Sequence, residues 1–161
     1  QTMWYCITIC EKTGNLLDTT PSVLSFEKIY WNDTEITFQS DGITAASISD
    51  GEGNVSTDIA GLVKFYCFSG GSSSPVVPAG YTNGSLVYAS GIMPGWSANH
   101  TMDDLVFAIV RVDYNKAKNI TGLGNIEFKI KNTMTEPGDV LNDYMTNTRY
   151  GAGIAAEEIN S

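Results

Sequence analysis

Histidine occurs once in the 161 residues, at His100, so any imidazole chemistry rests on a single position. Ser–His–Asp and Cys–His arrangements both need an imidazole to take the nucleophile's proton. Here each would have to be built on "SANHTMDD", where Asp103 and Asp104 lie near His100. No GxSxG elbow or comparable signature surrounds any serine. His100 therefore reads as a surface loop residue, and we expect no catalytic residue and no enzyme activity. Cysteine is scarce as well, with Cys6, Cys10 and Cys67 only. Cys6 and Cys10 sit four apart on an apparent strand and share a face on that reading. At about 3.3 Å per residue their Cα atoms stand roughly 13 Å apart, beyond disulfide reach. Either one can meet Cys67 on another strand, but three reduced thiols on apolar faces are the expectation. A structural zinc site wants close cysteine pairs with further ligands, and His100 has no partner motif, so no metal or other cofactor is expected.

Basic residues are also few: nine Lys and Arg face 18 Asp and Glu, for a net charge of −9. The imbalance is concentrated in residues 1–104, with 11 acids against 3 bases; residues 105–161 carry 7 against 6. Such a chain offers no phosphate-binding footprint, which argues against specific nucleic-acid binding. No run approaches the roughly 20 apolar residues of a membrane-spanning helix. Two glycine-rich stretches resemble ligand loops only faintly. "DGEGN" spaces Asp50, Glu52 and Asn54 at alternate positions, but without the glycine placement and closing glutamate of an EF-hand. "GLGN" at 122–125 lacks the glycine spacing and following helix of a phosphate cradle. Both read as tight turns.

What the chain does contain is β material. Hydrophobic residues make up 42% and charged residues 17%, a globular balance too apolar for disorder. "MWYCITICE" (3–11) is an aromatic and β-branched run and predicts a strand. "VLSFEKIYW" and "EITFQ" alternate about Asn32-Asp33-Thr34 and predict a hairpin. Two weaker strands follow across an Asp-Gly turn, then a strong one in "LVKFYCFSG". "DLVFAIVRVDYN" is the most apolar stretch and predicts a central strand. "NIEFKIKN" sets Ile126, Phe128 and Ile130 against Glu127, Lys129 and Lys131, the pattern of a half-buried strand. "ANHTMDDL" predicts one helical turn, and residues 71–85 have the composition of a long exposed loop. The candidate aromatic residues for a sugar platform are Tyr30, Trp31, Tyr81, Tyr88 and Trp96, although Trp31 reads better as packing beside the hairpin and Trp96 beneath the Pro94-Gly95 turn. Asn32, Asn54, Asn83, Asn99 and Asn119 open N-x-S/T sequons. Together these features support an alternative reading as a secreted β-sandwich adhesion or carbohydrate-binding module.

The end of the chain departs from this pattern. After Thr135 or Glu136 as a cap, Pro137 suits a first helical turn and Asp139 the positive end of the dipole. Val140, Leu141, Tyr144 and Met145 then fall at i, i+1, i+4, i+5, a stripe that predicts docking on a sheet. Asn147, Gly151 and Gly153 end the helix, the two glycines being free to take positive φ for a sharp exit. "AAEEIN" predicts the start of another helix. With Gln1 in place of an initiator Met and "EEINS" at the other end, we expect a piece of a longer polypeptide.

The stretch "PGDVLNDYMTNTRYGAG" resembles a segment, P-(x)-L-x-D-x-x-T-N-x-R-Y-G-x-G with a spacer of variable length after the Pro, of the central hub or tip-attachment proteins of long-tailed phages. That family includes lambda-like tail-tip proteins and the hubs of gene-transfer-agent particles. Pro137, Leu141, Asp143, Thr146, Asn147, Arg149, Tyr150, Gly151 and Gly153 carry the match. The strand–turn–strand "DLVFAIVRVDYNKAKNITGLGNIEFKIKN" and the opening "MWYCITICEKTGNL" are similar to family segments, while residues 15–104 match no motif. Met145 stands where the family has Leu and Thr148 where it has Pro; the Gly-Pro after Glu11 is absent.

The resemblance implies a mainly β fold, a small split β-barrel or sandwich. In it the first strand joins the pair 105–115 and 125–132. Residues 1–22 and 91–135 would form the hub β domain, 23–90 an inserted β subdomain, and 136–161 a helix and turn leading to a following hub domain. It implies a virion structural protein at the tail tip, a homotrimer joining the tail tube or distal tail protein to tip or fibre proteins. DNA would pass through it without specific binding, past an acidic wall. The joint itself would be Leu141, Asp143, Tyr144, Asn147, Arg149, Tyr150, Gly151 and Gly153, with Arg149 offering a donor fork and Tyr150 an amphipathic anchor. Ser73, Pro75, Val77 and Tyr81, in the long loop, are candidate subunit contacts.

Overall fold

The computed structural model describes residues 1–11, 25–68, 95–96, 105–131, 136–148 and 151–159. Among them the β-branched and aromatic runs form strands. These are β1 (Thr2–Glu11), β2 (Ser25–Trp31), β3 (Thr34–Phe38), β4 (Ala45–Ser49), β5 (Val55–Ser56), β6 (Val63–Phe68), β7 (Leu105–Asp113) and β8 (Ile126–Lys131). A 3₁₀ turn at Lys116–Lys118 precedes β8, and helices α1 (Pro137–Thr146) and α2 (Ala156–Ile159) follow it. The chain forms two compact units, one of Gln1–Lys12 with Leu24–Lys131 and one of Thr13–Val23 with Asn132–Ser161. The strands lie in the first unit and the helices in the second.

The strands make two antiparallel sheets, β1-β7-β6 and β5-β4-β3-β2-β8, that share one apolar core and do not close into a barrel. Side chains alternate along a strand, so each face of β7 has its own company. Val106, Ala108, Val110 and Val112 meet Phe26, Ile29, Trp31, Ile36 and Ala45 of the second sheet, with Val63, Phe65 and Cys67 from β6. On the opposite face Phe107 and Ile109 pack with Phe68, flanked by Trp4, Tyr66, Trp96 and Leu105. The expected central strand is thus sealed on both sides, with residues 106–110 fully buried. Phe65 fastens the two sheets, edge-on to Phe38 at 5.8 Å and to Phe128 at 6.4 Å.

Backbone bonds join the sheets at one corner. Phe65 donates its N–H to the Ile43 carbonyl at 2.9 Å, Gly61 donates to Ala45 at 3.0 Å, and Thr44 bridges to Lys64. Asp41 organises that corner: one carboxylate oxygen accepts from the Ile43 and Thr44 amides at 2.9 and 2.8 Å, and the other accepts from the Thr44 hydroxyl at 2.5 Å. Thr44, the buried polar residue among the described ones, is satisfied in this way.

The β2–β3 hairpin turns at Asn32 and Asp33, with φ of 48° and 65°. Positive φ at both central residues is the geometry of a tight hairpin turn whose twist matches its strands. Asn32 then holds the approach to β8. Its N–H donates to the Asn125 carbonyl and its side-chain oxygen accepts from the Asn125 amide, each at 2.8 Å. Gly124 comes so close here that a Cβ would stand 2.7 Å from Asn32 Oδ1 and 2.9 Å from the Trp31 ring.

Three expectations are corrected by this arrangement. β1 pairs with β7 as expected, but β8 does not join them: it pairs with β2, from Ser25 opposite Lys131 to Trp31 opposite Ile126. The physical reason is that β7 needs apolar strands on both flanks, and β6 supplies the second. β8 has one polar face and suits the sheet edge, where Lys129 reaches Glu27 at 3.1 Å. Consequently the sheets cut across the division drawn between 23–90 and its flanks, since β6 belongs with β7 and β8 with β2. Finally, Cys6 and Cys10 do not share a face. A bulge between Thr8 and Cys10 shifts the register, so Cys10 packs on the shared core while Cys6 is exposed.

Two outcomes follow for stability. Phe65→Ala should cost about 3–5 kcal/mol in urea unfolding, whereas removing the exposed Lys129–Glu27 pair should cost about 0–1 kcal/mol. Burial alone would raise the Asp41 carboxyl. The Thr44 hydroxyl, the Thr44 and Ile43 amides and the Lys64 charge outweigh it and hold the group below its ordinary range. A folded-state value below the unfolded one, about 4, means this stabilisation is complete above that value and lost as pH falls through the folded value. Asp41→Asn should therefore lower the urea midpoint at pH 7, with the gap to wild type closing below pH 4.

Candidate functional site: the carboxy-terminal helix and turn

An α-helix leaves its last carbonyls without partners, and how this chain supplies them defines the site. α1 starts at Pro137, in the position where a missing N–H costs nothing, after Glu136 in extended conformation. Glu136 contributes no side-chain cap; its carbonyl accepts from the Asp139 and Val140 amides at 3.1 and 3.2 Å. Asp139 lies in the first turn, at the positive end of the dipole. At the other end Asn147 leaves the helix with φ −68° and ψ 121°, its amide still bonded to Asp143 at 2.9 Å.

The chain then folds back on the helix it has just left. Ala152 donates to the Tyr144 carbonyl at 2.9 Å and Ile154 to the Met145 carbonyl at 2.8 Å. Gly151 and Gly153 both donate to Asn147, at 3.2 and 3.1 Å. Residues 151–154 therefore cap the final turn with their own amides, which orders the path of the chain as well as the helix end. The two glycines serve this in different ways. Gly153 has φ 64°, the left-handed conformation expected of it. Gly151 is needed for space, since a Cβ there would run into the Tyr144 carbonyl oxygen. Its sequence reading as a conformational glycine missed this close approach.

The apolar stripe on α1 is present at helical spacing, with three of its four residues exposed. Val140 is 50% exposed, Leu141 59% and Tyr144 56%, and no described residue of the helix is buried. Asp143, Met145 and Asn147 are half-buried. Arg149, Tyr150 and Thr135 lie outside the described residues, as do Ser73, Pro75, Val77, Tyr81, Tyr88, His100, Asp103 and Asp104.

The remaining candidates resolve into structural roles. In "DGEGN" one Asp50 oxygen accepts from the Glu52 and Asn54 amides at 3.0 and 2.9 Å, and the other from the Asn54 side chain at 2.8 Å. These bonds, led by the Asn54 side chain, lower its carboxyl below the ordinary range and make the loop a self-satisfied turn between β4 and β5. No group of three or more metal-ligating side chains is present among the described residues. Cys6 and Cys67 are free thiols, and burial pushes Cys67 up strongly, which makes it inert. Trp31 is 4% exposed and cannot serve a sugar platform, while Trp96 stacks on Phe107 at 5.9 Å. The sequon side chains of Asn32 and Asn54 are both engaged in turns.

One cluster was not singled out by sequence reading. Arg111 pairs with Asp113 at 3.0 Å and lies 5.9 Å from the Trp4 ring, which in turn stacks on Tyr66 at 6.2 Å. Thr2 donates its hydroxyl to Asp113 at 2.5 Å. Burial opposes the ionisation of Asp113, but the Thr2 hydroxyl and Arg111 overcome it and lower its carboxyl. The alternation in "RVD" carries half of this signal; the other half comes from β1 and β6, through strand pairing.

Comparison with known proteins adds no relative: no protein-family model, curated protein or solved structure matches the chain.

The turn makes a sharp prediction. Gly151→Ala should release the amides of Ala152 and Ile154, a local loss of about 1–3 kcal/mol that hydrogen exchange reads as faster exchange at both. Gly153→Ala should cost about 1–2 kcal/mol through its positive φ, and Gly153→Asn less, because Asn tolerates that conformation.

Proposed function

We propose that this chain is a non-enzymatic structural subunit of a bacteriophage tail tip or baseplate hub, in which α1 and its turn act as a mechanical joint. The observation that carries this reading is the fold-back of residues 151–154 onto the end of α1, with an exposed stripe of Val140, Leu141 and Tyr144 on the same helix. A rigid exit fixes the direction in which the chain proceeds, and an apolar stripe gives the next module a surface to bury. The segment that resembles the hub family is this same helix and turn. In that role the β sandwich is a rigid body within a homotrimer on the tail axis. The homotrimer joins the tail tube or distal tail protein to tip or fibre proteins around a conduit for DNA. A net charge of −9 suits such a wall, which must not retain the passing polyanion.

Two measurements test the proposal. Mass spectrometry and immunogold microscopy of tailed particles from cells carrying the gene should find the chain at the tail tip. Its absence from particles would overturn the reading. Leu141→Asp should leave the sandwich folded by circular dichroism and thermal melting yet block incorporation into tails; normal incorporation would remove the joint from the account.

A further inference from the structure

We draw no further inference here: the strongest candidate, the outer edge of strand β1 over residues 2–8 with Met3, Tyr5 and Ile7 only partly buried beside it, is an edge of its sheet among the described residues, but nothing in the structure shows what covers it.

Discussion

The fold depends on β7, a strand that must be kept from water on both faces. Its even-numbered residues from Val106 to Val112 and its odd-numbered Phe107 and Ile109 are all fully buried. Burying a side chain of this kind contributes about 1.5–3 kcal/mol, so one short strand supplies a large part of the apolar driving force. A strand with two apolar faces requires a layer above and a layer below as well as a neighbour on each edge. The second sheet provides one layer; on the other face Phe68, Tyr66 and Trp4 of the flanking strands, with Trp96, pack around Phe107 and Ile109. The positions of β1 and β6 follow from the same need, because each adds apolar residues to both layers.

Given that constraint, polar groups are confined to corners and edges, and there they are satisfied locally. Asp41 bonds to the amides and hydroxyl of the residues that follow it, Asp50 to the loop it opens, and Asp113 to Thr2 and Arg111. These carboxylates stiffen turns and sheet margins, and each is ionised because neighbouring donors favour the charged form. Acidic residues therefore do structural service here without converging on a reactive centre among the described residues. The inter-sheet corner at residues 41–45 and the Asn32–Asn125 contact play equivalent parts, each tying a loop to a strand distant in sequence.

The helical unit obeys a different rule. No described residue of α1 is buried, so its order comes from its own hydrogen bonds and from the amides of residues 151–154. Such a helix end is defined by backbone geometry, which makes glycine positions decisive and side-chain chemistry secondary. Leu141 and Tyr144 stay exposed on this helix.

Much of this was legible in the residue order. The two-residue alternation of Ile126, Phe128 and Ile130 marks a one-sided strand, the unbroken run from Val106 to Val110 a two-sided one, Asn32-Asp33 a tight turn, and Pro137 a helix start. These features were readable because they depend on local geometry: a strand repeats every two residues, and a turn is made by the residues within it. The tertiary structure alone decided that β8 pairs with β2, that a bulge carries Cys10 to the face opposite Cys6, and that Gly151 is required for space. Each of these depends on which distant backbone comes near, and that is set by competition among all the strands and loops for one core, a competition no local pattern records.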